Sequence, residues 1–235
     1  MKRILITNDD GIEAPGIIRL AEAARAFGEV IVIAPETERS ALSHSITIRD
    51  PVDLFPHAFP IPGVTAWACS GTPSDCVRIG LLWLLPQAPD LVLSGINNGW
   101  NVAGDIQYSA TVGAALEAAR RGIPAIALSE PCDGDRTVTD CFLARILADL
   151  QDERPGPDAI LNVNFPAGPC RGTLTGRTVS AGSMHRGVYR LMEKGPDGKL
   201  RLKSDSIPDE DCEAGTDFRA VLDGYISIGV VRNVG

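Results

Sequence analysis

Short runs that are apolar on both faces alternate with helix-patterned segments through the first half of this chain. Residues 4–6, 30–34, 91–93 and 123–128 read as strands, too short for helices and without the polar alternation of a half-solvated sheet. Between the first two, residues 15–27 place Ile17, Leu20, Ala21 and Ala24 on one helical face, and residues 109–121 form an Ala-rich helix ended by Gly122. A strand that buries both faces needs a covering layer on each side, and parallel neighbours need a crossover between them. The helices supply both, so the pattern predicts an α/β protein with a mainly parallel sheet and helices on both faces.

The punctuation sharpens this outline. Thr72 as N-cap, Pro73 at the first helical position and Asp75 three residues on predict a helix whose apolar run, residues 77–85, stops at Pro86. Residues 35–44 read as a polar loop, and residues 45–54 and 64–69 as two strands that pair as a hairpin. Beyond about residue 129 the character changes. A charged stretch over residues 132–139 leads to a helix over 140–150, then to a strand over 160–164 and a long irregular region. Within that region, strands over 188–192 and 200–203 flank Gly195-Pro196-Asp197-Gly198, a hairpin turn. The expected division is a core over 1–129 and a part over 130–235 that completes the core and carries a hairpin, about 188–204.

Composition narrows the function. At 44% apolar, 235 residues can bury a full core, and a net charge of −8 argues against a nucleic-acid polymer as partner. No apolar run reaches the roughly 18 residues of a membrane span, and the first apolar stretch is too short for a signal sequence, so the expected setting is the cytoplasm. Cys69, Cys76, Cys132, Cys141, Cys170 and Cys212 lack zinc spacing. They read as reduced thiols, with Cys69 and Cys76 in the core.

Ligands of open parallel sheets collect at the carboxyl ends of the strands. Three polar clusters fall there: Asn8-Asp9-Asp10 after the first strand, residues 36–45 after the second, and Ser94-Gly95-Ile96-Asn97-Asn98-Gly99 after the strand over residues 91–93. Either acidic or amide cluster alone is ordinary turn chemistry, but together at strand ends they form an oxygen-rich set, with His44 nearby, suited to a hard divalent cation. No GxGxxG, P-loop or GxSxG pattern occurs. His57 and His185 read as structural or solvated.

At these residues a resemblance enters. "ITNDDGIEAPG", "VIAPETERSALSHSIT", "SGTPSDCVRIGL", "LVLSGINNGWNVAGDIQYSATVGAALEA", "LNVNFP" and "GTDFRAVLDGYISI", in order along nearly the whole chain, resemble the survival protein E (SurE) family of metal-dependent 5′-nucleotidases and acid phosphatases. The resemblance implies a Rossmann-like core, one divalent cation (Mg2+ or Mn2+) on Asp9, Asp10, Ser40 and Asn97, and phosphate contacts from Asn101, Ser109 and Thr111. It implies Asp9 and Asp10 as catalytic residues, a nucleoside monophosphate as substrate, and a homodimer or homotetramer built with the hairpin. Departures from the family pattern are Trp100 where many relatives carry Pro, Ala110 in place of a frequent Gly, and a chain that stops soon after Ile228.

The mechanism so implied is hydrolysis of a phosphomonoester, 5′ or alternatively 3′, with Asp9 as proton acceptor. Two rivals are a phosphoaspartyl phosphatase, which wants Asp-x-Asp rather than adjacent aspartates, and a non-catalytic nucleotide-binding module on the same fold. Trp100 and Tyr108 are candidate surfaces for stacking a base.

Overall fold

The computed structural model describes residues 1–132 and 134–233; Asp133, Val234 and Gly235, which belong to the segment expected to complete the core, lie outside the described residues. Strands β1 (Lys2–Thr7), β2 (Gly28–Pro35), β4 (Thr65–Cys69), β5 (Leu91–Asn98), β6 (Ala125–Glu130) and β7 (Ala159–Asn164) lie parallel in the order β4-β2-β1-β5-β6-β7. That is the doubly wound order with its switch point between β1 and β5. β3 (Leu54–His57) adds antiparallel to β4 at one edge, and β11 (Tyr225–Arg232) adds antiparallel to β7 at the other, followed by β8 (Gly172–Arg177). The remaining pair, β9 (His185–Lys194) and β10 (Leu200–Pro208), forms a separate two-stranded sheet.

Period-two alternation sorts the core into two layers. Ile4, Ile6, Val30, Val32, Leu91, Leu93, Ile126 and Leu128 point to one side, where α1 (Pro15–Ala24) and α4 (Thr137–Leu150) cover them with Ile17, Leu20, Leu143 and Leu147. Leu5, Ile31, Ile33, Val92, Ala125 and Ala127 point to the other, under α2 (Pro73–Ile79) and α3 (Ala110–Arg120). Each fully buried aliphatic side chain contributes about 1.5–3 kcal/mol, which is why both-face-apolar runs settle in the middle of the sheet. Among the described residues no helix is long and apolar enough to cross a membrane.

Several boundaries differ from the sequence expectation. Residues 45–53 are not a strand: Thr47 gives its N–H and its hydroxyl to the Asp75 carboxylate, the Ser45 carbonyl accepts from Thr72, and Pro51 has no N–H to offer a ladder. β3 therefore starts only at Leu54, where it pairs with Cys69, and His57 lies on a strand rather than in a loop. The first helix stops at Ala24, and the expected single helix up to Pro86 closes as α2 at Ile79 and a π-helical turn, Gly80–Leu84. The capping box read at Thr72 and Asp75 is present in both directions. The strand expected over 123–128 shifts to β6 because Ile123 donates back to Ala118 and Pro124 cannot donate. Strand β5 runs on through the polar segment to Asn98, with a register shift between Ser94 and Asn97 against β6. The hairpin strands are longer than expected, and α5 (Asp217–Leu222), capped by Thr216, and β11 were not resolved from the sequence.

One close approach ties the fold to the site. A Cβ on Gly16, in the first turn of α1, would lie 2.1 Å from the Ile96 carbonyl oxygen. Backbone meets backbone there, so neither side can yield locally. Gly16→Ala is expected to lower stability by about 1–3 kcal/mol, read by urea denaturation, and to lower activity because Ile96 adjoins Asn97.

Candidate active site

The carboxyl ends of β1 and β5 flank the switch point, and the chain builds its turns there from its own polar atoms. Asn8 donates its side-chain amide to the Gly11 carbonyl (2.8 Å), closing the turn that carries Asp9 and Asp10, and Gly11 takes φ 104°, open to glycine at little cost. Arg39 donates its N–H to the Asp9 carbonyl (2.7 Å), which brings the loop after β2, and with it Ser40, to the first strand. Asn98 donates its N–H to Asp10 Oδ2 (3.1 Å), bringing the end of β5 to the same place. Asn97 donates its amide to the Gly99 carbonyl (2.7 Å), a bond that uses its nitrogen and leaves Oδ1 as the donor atom for a cation. All four expected metal residues thus sit on segments hydrogen-bonded to one another. Ser40, the fourth, is exposed on the adjoining loop and donates its hydroxyl to Glu38 (2.9 Å).

Asp9 is 3% exposed, and its carboxylate accepts the Thr111 hydroxyl from the first turn of α3. Burial is the main reason its pKa is pushed up to about 7; the Thr111 hydroxyl opposes the shift, and Asp10 adds to it. Burial also raises Asp10, against the Asn98 N–H, with Glu38 and Glu130 pushing the same way. Among the described residues no ion pair involves either aspartate. A buried carboxylate beside a half-buried one, neither in an ion pair, fits a divalent cation. Since no three His, Cys, Asp or Glu among the described residues converge, hydroxyl and amide oxygens such as those of Ser40 and Asn97 would have to complete the set.

The three residues expected at the phosphate are engaged within the protein. Thr111 holds Asp9; the Ser109 hydroxyl caps α3 by accepting the Val112 N–H (3.1 Å). Asn101 is 7% exposed and donates its amide to the Ser129 hydroxyl (2.9 Å). Its backbone N–H goes to Asn164 Oδ1 (2.8 Å), while its carbonyl accepts from Asn162 (2.8 Å) and Asn164 (3.1 Å). Those two asparagines were not singled out in sequence, although two amides at period two inside an otherwise apolar strand are a readable anomaly. Two ion networks were missed as well. Buried Glu130 joins Arg19 and, at 3.2 Å, Arg136 beside Asp10; buried Glu117 joins His44 (3.0 Å), Arg78 (3.1 Å) and Arg121 (2.8 Å). The latter pins the Ser40 loop on α3, where a Cβ on Gly113 would lie 2.6 Å from the Ser43 carbonyl oxygen. Glu117 and Arg121 are an i,i+4 pair, but Arg19, His44 and Arg78 lie 111, 73 and 39 positions from the glutamates they meet, so no local pattern announces the networks. Cys69 and Cys76 are core residues, as expected. His185 opens β9 and is exposed.

Fold and site together define a doubly wound α/β protein of the Rossmann-like class, with an acidic, oxygen-donor site astride its topological switch point. The family described as Survival protein SurE matches residues 4–186, and the chain belongs to that family. A protein of Geobacter metallireducens named 5′-nucleotidase SurE is 40% identical over 96% of this chain and 89% of its own length. One of Thermus thermophilus, named 5′-nucleotidase SurE 1, is 43% identical over 96% and 90%. The crystal structure of the SurE protein from Aquifex aeolicus has a TM-score of 0.80 at 33% identity, covering 98% of this chain and 93% of that one.

Proposed function

We propose that this chain is a divalent-metal-dependent phosphomonoesterase that hydrolyses nucleoside 5′-monophosphates, and 3′-monophosphates as a further class, to nucleoside and phosphate. The observation that carries the reading is Asp9: a carboxylate 3% exposed, beside a second carboxylate and the first turn of a helix, with a pKa pushed up to about 7 by burial. Membership of a family whose relatives are named 5′-nucleotidase supports the enzymatic class.

A phosphate dianion approaching Asp9 and Asp10 would be repelled by like charge. A Mg2+ or Mn2+ ion on Asp9, Asp10, Ser40 and Asn97 would reverse that field and supply Lewis-acid stabilisation of the charge on the phosphoryl oxygens. The chain's own part is positioning. The amides at the start of α3 face anionic charge, Thr111 fixes the Asp9 carboxylate, and the Asn101, Ser129, Asn162 and Asn164 network holds the segment that carries the phosphate side of the site. Asp9 accepts the proton of the attacking water. Asp10, tied to the Asn98 N–H, keeps the end of β5 in register with it.

Residues 1–129 supply the metal and phosphate residues of this site, and residues 130–235 add the Asn162 and Asn164 clamp on Asn101, the far edge of the sheet and the hairpin. Every residue of β9 and β10 is exposed, with Val188, Tyr189, Leu191, Leu200, Leu202 and Ile207 among them, and an isolated two-stranded ribbon is marginal by itself in water. The hairpin therefore packs on a second copy in a homodimer or homotetramer, working in the cytoplasm.

The test is phosphate release from nucleoside 5′- and 3′-monophosphates in Mn2+, in Mg2+ and in EDTA. Turnover with either metal and none in EDTA is the expected result. Nucleotide binding without release under any metal would overturn it in favour of a binding module, and a trapped acyl phosphate would favour the phosphoaspartyl route.

A further inference from the structure

From the switch point a nucleotide whose phosphate lies at Asp9 can extend in one of two directions. Toward β2 and β4 it meets the loop after β2, where Glu36 and Glu38 are exposed carboxylates. Toward β6 and β7 it meets a cavity of about 360 Å3 at the carboxyl ends of those strands, lined by Gly99, Trp100, Pro131, Ala167, Met184 and His185. The volume falls in the range of about 300–1,000 Å3 that small-molecule sites occupy.

The cavity is continuous with the catalytic segment through Gly99, whose carbonyl accepts the Asn97 amide and whose N–H donates to the Glu130 carbonyl (2.9 Å). Its aromatic wall is held in place: Trp100 donates its indole N–H to the Phe165 carbonyl (2.6 Å) and packs with Met184 against Val102, Ala103, Phe218 and Val221. The opposite wall is anchored too. Asp105 accepts the Met184 N–H (2.7 Å) and the Ser183 hydroxyl (2.7 Å), so the root of the hairpin is locked to the 3-10 helix Ala103–Tyr108. A half-buried indole, preorganised beside a mostly apolar cleft next to a phosphate site, has the chemistry to take a planar heteroaromatic ring. Tyr108, the other aromatic near the site, is 65% exposed and does not line this cavity.

We infer that the cavity beside Trp100 is the nucleobase subsite and that Trp100, by stacking on the base, is a specificity-determining residue that favours nucleotides over base-free sugar phosphates and purines over pyrimidines. The inference rests on the proposed phosphomonoesterase reading. Purines rank higher because the larger ring covers more of the indole face.

The test compares kcat/KM for adenosine 5′-monophosphate, cytidine 5′-monophosphate and ribose 5-phosphate in the wild type, Trp100→Phe and Trp100→Ala. Binding of adenosine, which carries no phosphate to hydrolyse, is measured alongside by equilibrium dialysis. Removing one stacked base–aromatic contact predicts a fall of about tenfold in the ratio of adenosine 5′-monophosphate to ribose 5-phosphate for Trp100→Ala, with most of the ratio kept in Trp100→Phe. Adenosine affinity should fall in parallel. Should Trp100→Ala fail to fold, Trp100→Leu keeps the bulk without the π face and must show the same loss. Equal losses in the Phe and Leu or Ala variants would assign Trp100 to its hydrogen bond with Phe165 and overturn the proposal. So would turnover in which ratio and adenosine affinity ignore Trp100, a result that leaves the hydrolytic activity standing. If no phosphomonoester is turned over but adenosine binding depends on the Trp100 ring, the subsite stands and the hydrolytic reading falls.

Discussion

Asp9→Asn is expected to lower kcat/KM for nucleoside 5′-monophosphates by about 10^3-fold, because the substitution removes both a negative cation ligand and the proton acceptor, the latter alone being worth about 10^2–10^4. Asparagine keeps the shape and an acceptor oxygen for the Thr111 hydroxyl, so the fold should persist. The informative comparison is a steady-state assay in saturating Mn2+ beside a melting curve in EDTA. A tenfold loss or less would deny Asp9 its proposed role. A stable, inactive variant would separate catalysis from folding at this position.

The second expected effect is on stability in the absence of metal. Asp9 has a pKa of about 7 in the folded chain against an ordinary 3.8. Between those values the folded protein holds a proton that the unfolded chain has lost, so stability falls as pH rises through the window from 4 to 7. A difference of about 3 units corresponds to about 4 kcal/mol at most, fully present below pH 4 and gone above pH 7. The burial-raised Asp10 contributes in the same direction. Urea denaturation in EDTA at pH 5, 6, 7 and 8 should show the wild type losing stability relative to Asp9→Asn across the series. Adding Mg2+ or Mn2+ should recover more at pH 8 than at pH 5, since a cation binds the ionised carboxylates. Parallel pH profiles for the two proteins would contradict the assignment.

Much of this architecture is legible in the sequence. Apolar runs such as residues 4–6 and 30–34 are strands because both faces are covered, and that demand is written locally. The Thr72-Pro73-Asp75 cap was legible for the same reason, its partners lying within one turn. Legibility failed where distant groups compete for the backbone. Residues 45–53 have strand-like composition, yet the Asp75 carboxylate takes the Thr47 N–H and hydroxyl and leaves no ladder to form. The fold also sets the Thr111 hydroxyl on Asp9, a residue 102 positions away, a contact that no local pattern announces.

By itself the sequence determined the α/β class and the carboxyl-edge position of Asp9, Asp10 and Asn97, since residue type and periodicity are local properties. Only the tertiary structure decided that the Asp9 carboxylate is buried without a cationic partner, that Asn162 and Asn164 clamp Asn101, and that Trp100 walls a cavity leading away from the site. Desolvation, networks across strands and cavity shape arise from segments that meet only when the sheet is assembled, and no short stretch of chain encodes any of them alone.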